Sequence, residues 1–394
     1  MDINYFKSEA KKIIDNKKDE LIEIEKYIYD NPETCFNEHK AVSKLIEYME
    51  KNEFEVERNL AGLDTAFKAV YKSEKEGLNI GICAEYDALE MGHACGHNLM
   101  AGMSVGAVVA IKEVIDEIGG TITLIGTPAE EGGGGKIIIL EKGGFDELDA
   151  AMILHPASDT VVNDISYSTT TVEVNFYGIE SHAATFPYEG ISALNALIQV
   201  FNIVNGLRHE LMERGKILGI ITKGGDDPIM MPKHAQGKFA IRSFDAKFQR
   251  DLLNRFISIC QDVAKITNTK FEYNTVGLTY ESIKNNETIE SLLEANFKEL
   301  GEVVKPRERE LGIGCTDMGN VTRKIPALQS YVKVQEGTRG HTKEFLEACG
   351  DERGEKALII GAKAMAMTSI DLLCNVDNVK KMNDDFEEMK KKYI

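Results

Sequence analysis

The sequence predicts an α/β protein: a mainly parallel sheet flanked by helices, into which a small ferredoxin-like β-α-β-β-α-β domain is inserted. Three observations carry this. Through residues 65–157, short apolar runs that stop abruptly in polar residues alternate with segments of helical spacing, as in parallel sheets with crossover helices. Near residue 170 the strands begin to alternate polar and apolar residues, and the order becomes that of the split βαβ unit. After residue 285 the first pattern resumes. The expected division is 1–169 with 285–394 as one discontinuous domain, and 170–284 as the insert. At 394 residues the chain has room for both.

Taken in order, residues 5–30 read as one charged amphipathic helix, ended by Asn31-Pro32. AVSKLIEYMEKNEF (41–54) has apolar residues at helical spacing, and TAFKAVYK (65–72) alternates like a strand. LNIGICAEYD (78–87) is an apolar run ending in charge, and residues 98–118 read as a buried helix. GTITLIGTPAEEGGGG (120–135) and AAMILHPA (150–157) are strands that end in polar chemistry. In the insert, 170–178, KILGIITKG, AQGKFAIRSFD and 270–280 read as strands, and 189–213 and 246–267 as helices. A helix at 287–299, a strand around 328–334 and a final helix at 353–373 complete the first domain.

Composition narrows the function. With 43% hydrophobic and 28% charged residues, the chain has the balance of a soluble globular protein. A net charge of -18 argues against nucleic acid or an anionic membrane as partner, because both demand a basic face. The longest apolar stretch, near Met103–Ile111, reads as too short to span a bilayer, and the charged N-terminus does not resemble a signal peptide. The seven cysteines are odd in number and follow no disulfide or paired CxxC spacing. That pattern fits buried thiols in a reducing cytoplasm.

Several chemically loaded stretches follow strand ends: Glu85 and Asp87, then Cys95 and His97 a short loop later, Glu130-Glu131, and His155. Ligands of open α/β sheets bind beyond these ends. Thiolate, imidazole and carboxylate together suit zinc and its neighbours. In a metal hydrolase, one of two adjacent glutamates can bind metal while the other takes a proton from water. Two rival motifs fail. PAEEGGGGK lacks the first glycine and the final Ser/Thr of a phosphate loop, and its carboxylates would repel phosphate. There is no P-C-x-x-C of a zinc deaminase. His93 stands two residues before Cys95. In an irregular segment the two need not face the same way, so His93 is expected beside the ligands, with direct ligation as the lesser alternative.

AEYDAL, GHACGHN, PAEEGGGG, LHP, SHAA, TDMGNV and GHTKEF occur in this order along nearly the whole chain. In this set the sequence resembles the M20 peptidase family of metal-dependent amidohydrolases. The branch it resembles contains aminobenzoyl-glutamate hydrolases and the dipeptidase called peptidase M20 domain-containing protein 2. The resemblance implies a zinc-peptidase-like α/β domain with an inserted lid that also makes a homodimer. It implies two divalent ions, zinc before manganese or cobalt, held by Cys95, His97, Glu131, His155 and His341. Glu130 falls on the general base, and Asp87 on an aspartate that orients a ligand. His182 falls on a histidine that reaches across the dimer to the scissile carbonyl. Arg242, Asp317 and Asn320 fall on substrate-binding positions. The loop before Cys95 is short, with only Glu90-Met91 ahead of GHACGH, and Gln329 stands where relatives often carry histidine. The implied activity is hydrolysis of an amide bond in a small N-acyl amino acid or dipeptide, with closure about hinges near 168–171 and 282–286. The rival readings are a thiol-redox or metal-storing protein built on Cys95, and a degenerate partner subunit.

Overall fold

A computed structural model describes residues 2–307 and 313–393. It divides into two compact units. One runs through Ile165 and resumes at Ile283–Lys392; the other is Ser166–Ser282.

The first unit opens with α1 (Ile3–Asn16) and α2 (Lys18–Asp30), where the spacing had predicted one helix. The helical backbone breaks at Lys17, with φ -95° and ψ 5°. Both helices pack on helices later in the chain, and α2 also meets α3 (His39–Lys51). Asp2 caps α1 by accepting the Asn4 and Tyr5 N–H groups. The short polar strand β1 (Glu55–Arg58), which periodicity missed, pairs antiparallel with β2 (Phe67–Lys72). Then follow β3 (Asn79–Ala84), α4 (His97–Ile118), β4 (Thr121–Gly126), α5 (Gly135–Glu141) and β5 (Ala150–Ala157).

The second unit contributes β6 (Ser168–Tyr177), α6 (Ala193–Leu211), β7 (Lys216–Lys223), β8 (His234–Ser243), α7 (Ala246–Ile266) and β9 (Lys270–Tyr280). This is the expected β-α-β-β-α-β order. Its sheet runs β7-β8-β6-β9, antiparallel throughout. Helices α6 and α7 cover a core of Val172, Val174, Phe176, Leu197, Phe239 and Phe256.

The first unit then closes with α8 (Glu287–Glu299), α9 (Met318–Thr322), β10 (Ala327–Lys333), α10 (Lys343–Cys349), α11 (Glu352–Cys374) and α12 (Val376–Tyr393). Its sheet order is β1-β2-β4-β3-β5-β10, and β4, β3, β5 and β10 are parallel. Alternate strand residues feed opposite faces: Ile80, Ile82, Leu124 and Met152 join the core of α4 and α11, while Cys83, Ile125, Ala151 and Ile153 face the other way. Ala84 pairs with Gly126 at the carboxyl ends of β3 and β4, so the loops that leave them start side by side.

The structure corrects the reading of the apolar stretches. Helices α4 and α11 are each long and apolar enough to cross a membrane, yet 89% and 78% of their apolar windows are buried. They pack on each other, which accounts for their composition.

Candidate metal centre

The site is built from the ends of β3, β4 and β5. After β3 come Glu85 and Asp87, both buried. The chain then crosses to the Cys95 loop and enters α4 at His97. Gly96, at φ +85°, makes that entry, and a Cβ there would lie 2.4 Å from the Pro156 ring. Only glycine lets the Cys95 loop approach the end of β5 so closely. After β4, Pro128 and Ala129 lead into Glu130-Glu131. His155 lies on β5 itself. His341, at φ 63°, is tied to the Cys95 loop by its own N–H, which bonds the Ala94 carbonyl at 2.8 Å.

The donor atoms converge. Cys95 Sγ lies 3.2 Å from His155 Nε2. His97 Nδ1 lies 2.9 Å from Asp87 Oδ1, which holds the ring so that Nε2 faces the site. Asp87 Oδ2 accepts the Glu131 N–H at 3.0 Å, so one aspartate orients two strand-end loops. His341 Nε2 lies 3.2 Å from Glu131 Oε1. Three groups each place their ligand atoms within 4.8 Å of one another: Cys95, His97 and His155; Cys95, Glu131 and His341; and His97, Glu130 and Glu131. The first two share Cys95.

The residues fit divalent metal. His97 Nε2 lies 3.2 Å from Glu85 Oε2, and Glu131 Oε1 lies 3.2 Å from His341 Nε2, so imidazole nitrogens and carboxylate oxygens crowd the same place. The mixed S, N and O donors match zinc and its neighbours. Electrostatics agree in part. Burial opposes a charged His97, but Cys95 and Asp87 outweigh it and hold its pKa well above the ordinary value, so His97 must release a proton to ligate. Burial pushes His155 down to about 4, leaving it neutral and able to ligate. Burial works against ionised Glu131, but His341 and His97 outweigh it and hold its pKa below the usual range. Burial likewise opposes a charged Asp87, and His97 reverses it. Without metal, burial drives the Cys95 thiol well above its ordinary pKa.

Glu130 is held well above the usual carboxylate range by burial and by the nearby charges of Glu85 and Asp317. A carboxyl so placed holds its proton strongly, and a nearby positive charge would be needed to free it as a base. Beside it lies a feature the sequence reading did not assign. Lys136, in the first turn of α5, is fully buried. Its Nζ pairs with Glu85 Oε1 and, at 2.8 Å, with Asp317 Oδ1. Its backbone N–H donates to Asp317 Oδ2 at 2.9 Å. The structure therefore engages Asp317, expected at the substrate, with Lys136. The signal in the sequence was the lysine closing PAEEGGGGK, weighed there only as part of a phosphate loop.

The other expected residues are placed as follows. His93 is buried, with its pKa lowered to about 4 by burial, and it joins none of the three donor groups. Asn320 is half-buried on α9, and its N–H bonds the Asp317 carbonyl at 3.1 Å. Gln329 accepts the Thr316 hydroxyl at 3.2 Å. His182 and Arg242 belong to the second unit. His182 Nδ1 accepts the N–H groups of Ala184 and Thr185 at 3.3 and 3.1 Å. Its proton therefore sits on Nε2. Arg242 lies on β8 opposite Thr169 and Lys216, and its buried Nε has no hydrogen-bond partner.

Residues 74–369 match the sequence profile of peptidase family M20/M25/M40. The chain belongs to that family. The Xaa-Arg dipeptidase of Mus musculus is 29% identical, covering 94% of this chain and 90% of its own length. A p-aminobenzoyl-glutamate hydrolase component of Escherichia coli K12 is 25% identical, covering 95% of this chain and 94% of its own. Among solved structures, a dinuclear metal-binding M20 peptidase from Bacillus subtilis has the same fold at TM-score 0.72 and 20% identity, covering 91% of this chain and 99% of that one. Membership makes this chain a metallo-hydrolase, and a redox or storage role for Cys95 is not favoured.

Proposed function

We propose that this protein hydrolyses the amide bond of a small dipeptide or N-acyl amino acid, using two divalent metal ions. The observation that carries the reading is Glu130, next to Glu131 and grouped with it and His97, while Cys95 and His97 meet His155 and Cys95 and Glu131 meet His341. Cys95, His97 and His155 would hold one ion, and Cys95, Glu131 and His341 the other. Thiolate and imidazole favour zinc, with manganese or cobalt as alternatives. When bound, the ions supply an acidified water and polarise the scissile carbonyl.

The chain's own residues supply the remaining steps. Glu130 takes the proton of the attacking water and delivers it to the leaving amine. Asp87 keeps the His97 ring and the Glu131 backbone in place. His182 of a partner copy, protonated on Nε2, donates to the developing oxyanion. Arg242, with its unpartnered Nε, binds the free carboxylate of the substrate, and Asn320 lies on the segment near it. Similarity to Xaa-Arg dipeptidases makes a dipeptide ending in arginine the first substrate to try. A homodimer through the second unit is supported by edge strand β7, which exposes Leu218 and Ile220. Seven free cysteines support a reducing cytoplasm.

The test is metal content by elemental analysis, with hydrolysis of dipeptides and N-acyl amino acids before and after chelation. About two ions per chain and chelator-sensitive cleavage are expected. Cleavage that persists in metal-free protein would overturn the reading. Sedimentation of the wild type and of Ile220→Lys tests the dimer.

A further inference from the structure

The N-terminal segment 31–38 lies outside the residues matched by the family profile and bears none of the expected ligands. It nevertheless touches the segments that carry Asp87 and Glu130-Glu131. The Glu33 carbonyl accepts the Ala88 N–H at 2.7 Å, and Thr34 forms a β-bridge with Ala88, next to Asp87. Glu38, fully buried, reaches the second loop: its Oε1 accepts the Ala129 N–H at 3.0 Å and the Phe36 N–H at 2.9 Å.

Both residues that donate to this oxygen hold backbone conformations unusual for a side-chain-bearing residue. Phe36 and Ala129 each have φ 61°. Such conformations persist where the surroundings over-determine them. At Ala129 the other side of the peptide is fixed as well, since its carbonyl accepts the N–H groups of Gly133 and Gly134 at 2.9 and 2.8 Å. The Phe36 ring closes the turn: a Cβ on Gly133 would lie 2.4 Å from it. Glu130 and Glu131 leave directly from this pinned residue, so the direction in which both carboxylates emerge is set at Ala129.

We propose that Glu38 is a positioning residue for the Glu130-Glu131 loop, acting through the Ala129 N–H on the proton-accepting carboxylate and on one metal ligand. This rests on the hydrolase reading for Glu130, while its effect on Glu131 is readable by metal binding alone. Glu38→Ala removes the acceptor, Glu38→Gln keeps an amide oxygen in its place, and Glu38→Asp withdraws the carboxylate by one methylene.

The experiment titrates zinc into metal-free protein and measures kcat and KM on the best dipeptide of the panel. In Glu38→Ala one zinc step is expected to weaken by about 10- to 100-fold, the other to stay, and kcat to fall with KM little changed. Glu38→Gln should restore both to within about threefold of wild type, since an acceptor is again present. If Glu38→Ala does not fold, Glu38→Asp carries the same prediction at smaller size. Wild-type zinc binding and kcat in Glu38→Ala would overturn the proposal, as would equal loss of both zinc steps in Glu38→Gln. A wild type that binds zinc but cleaves nothing would sink the hydrolase reading, and the zinc titration would still decide Glu38.

Discussion

The two units treat charge differently. Both carry surface ion pairs such as Arg58–Glu50, but the first also buries charge. Lys136, Glu85 and Asp317 are shut away from water near Glu130, and Glu25 and Glu38 are buried as well. The second keeps its charges outside: the Arg255–Glu210 and Lys233–Glu180 pairs lie on the surface, and its core is apolar. It leaves apolar side chains exposed instead, on strand β7 and at Ile198 and Ile203 of α6. A unit that does chemistry needs fixed dipoles and shifted proton affinities, which burial supplies.

The largest effect expected to sharpen this contrast is on turnover. Glu130→Gln should lower kcat by about 10²- to 10⁴-fold while elemental analysis still finds bound metal. Loss of metal in that variant would move Glu130 from base to ligand. Next is the buried network. Lys136→Met leaves two carboxylates without their cation, and urea unfolding should register a loss of about 3–5 kcal/mol. A near-neutral result would mean that water reaches Glu85 and Asp317.

A smaller effect concerns pH. Burial pushes Glu25 up to about 7, against a hydrogen bond from Asn98. Its folded pKa lies above the unfolded value, so the folded state keeps a proton that the unfolded chain releases. The stability this contributes is complete below about pH 4.5 and is lost as pH rises through about 7. Between those limits the group should account for about 3 kcal/mol, and Glu25→Gln should flatten that part of the stability profile. An unchanged profile would place the titration elsewhere. The smallest effect belongs to the second unit. Arg255→Ala breaks an exposed pair and should change stability by no more than about 1 kcal/mol. A larger loss would erase the distinction between the units.

The elements were mostly legible because periodicity is local. α8 falls at 287–299 and β5 at 150–157, as the spacing of their apolar residues predicts. Where that signal is weak the reading slipped. β1 is the polar tetrapeptide EVER at a sheet edge, and α12 is a charged helix with Met382 as its one buried side chain among the described residues.

By itself the sequence determined the fold class, the order of the strongly periodic elements and the chemical types offered at the strand ends, because hydrophobic spacing and residue identity are written along the chain. Tertiary structure decided which of those groups meet. Lys136 is buried because Glu85 and Asp317 arrive from distant segments to neutralise it. Glu38 matters because the chain folds back to place it under Ala129. A lysine or glutamate in a sequence carries no mark of burial; only the partners that compensate its lost hydration make burial tolerable, and those partners are brought together by the sheet.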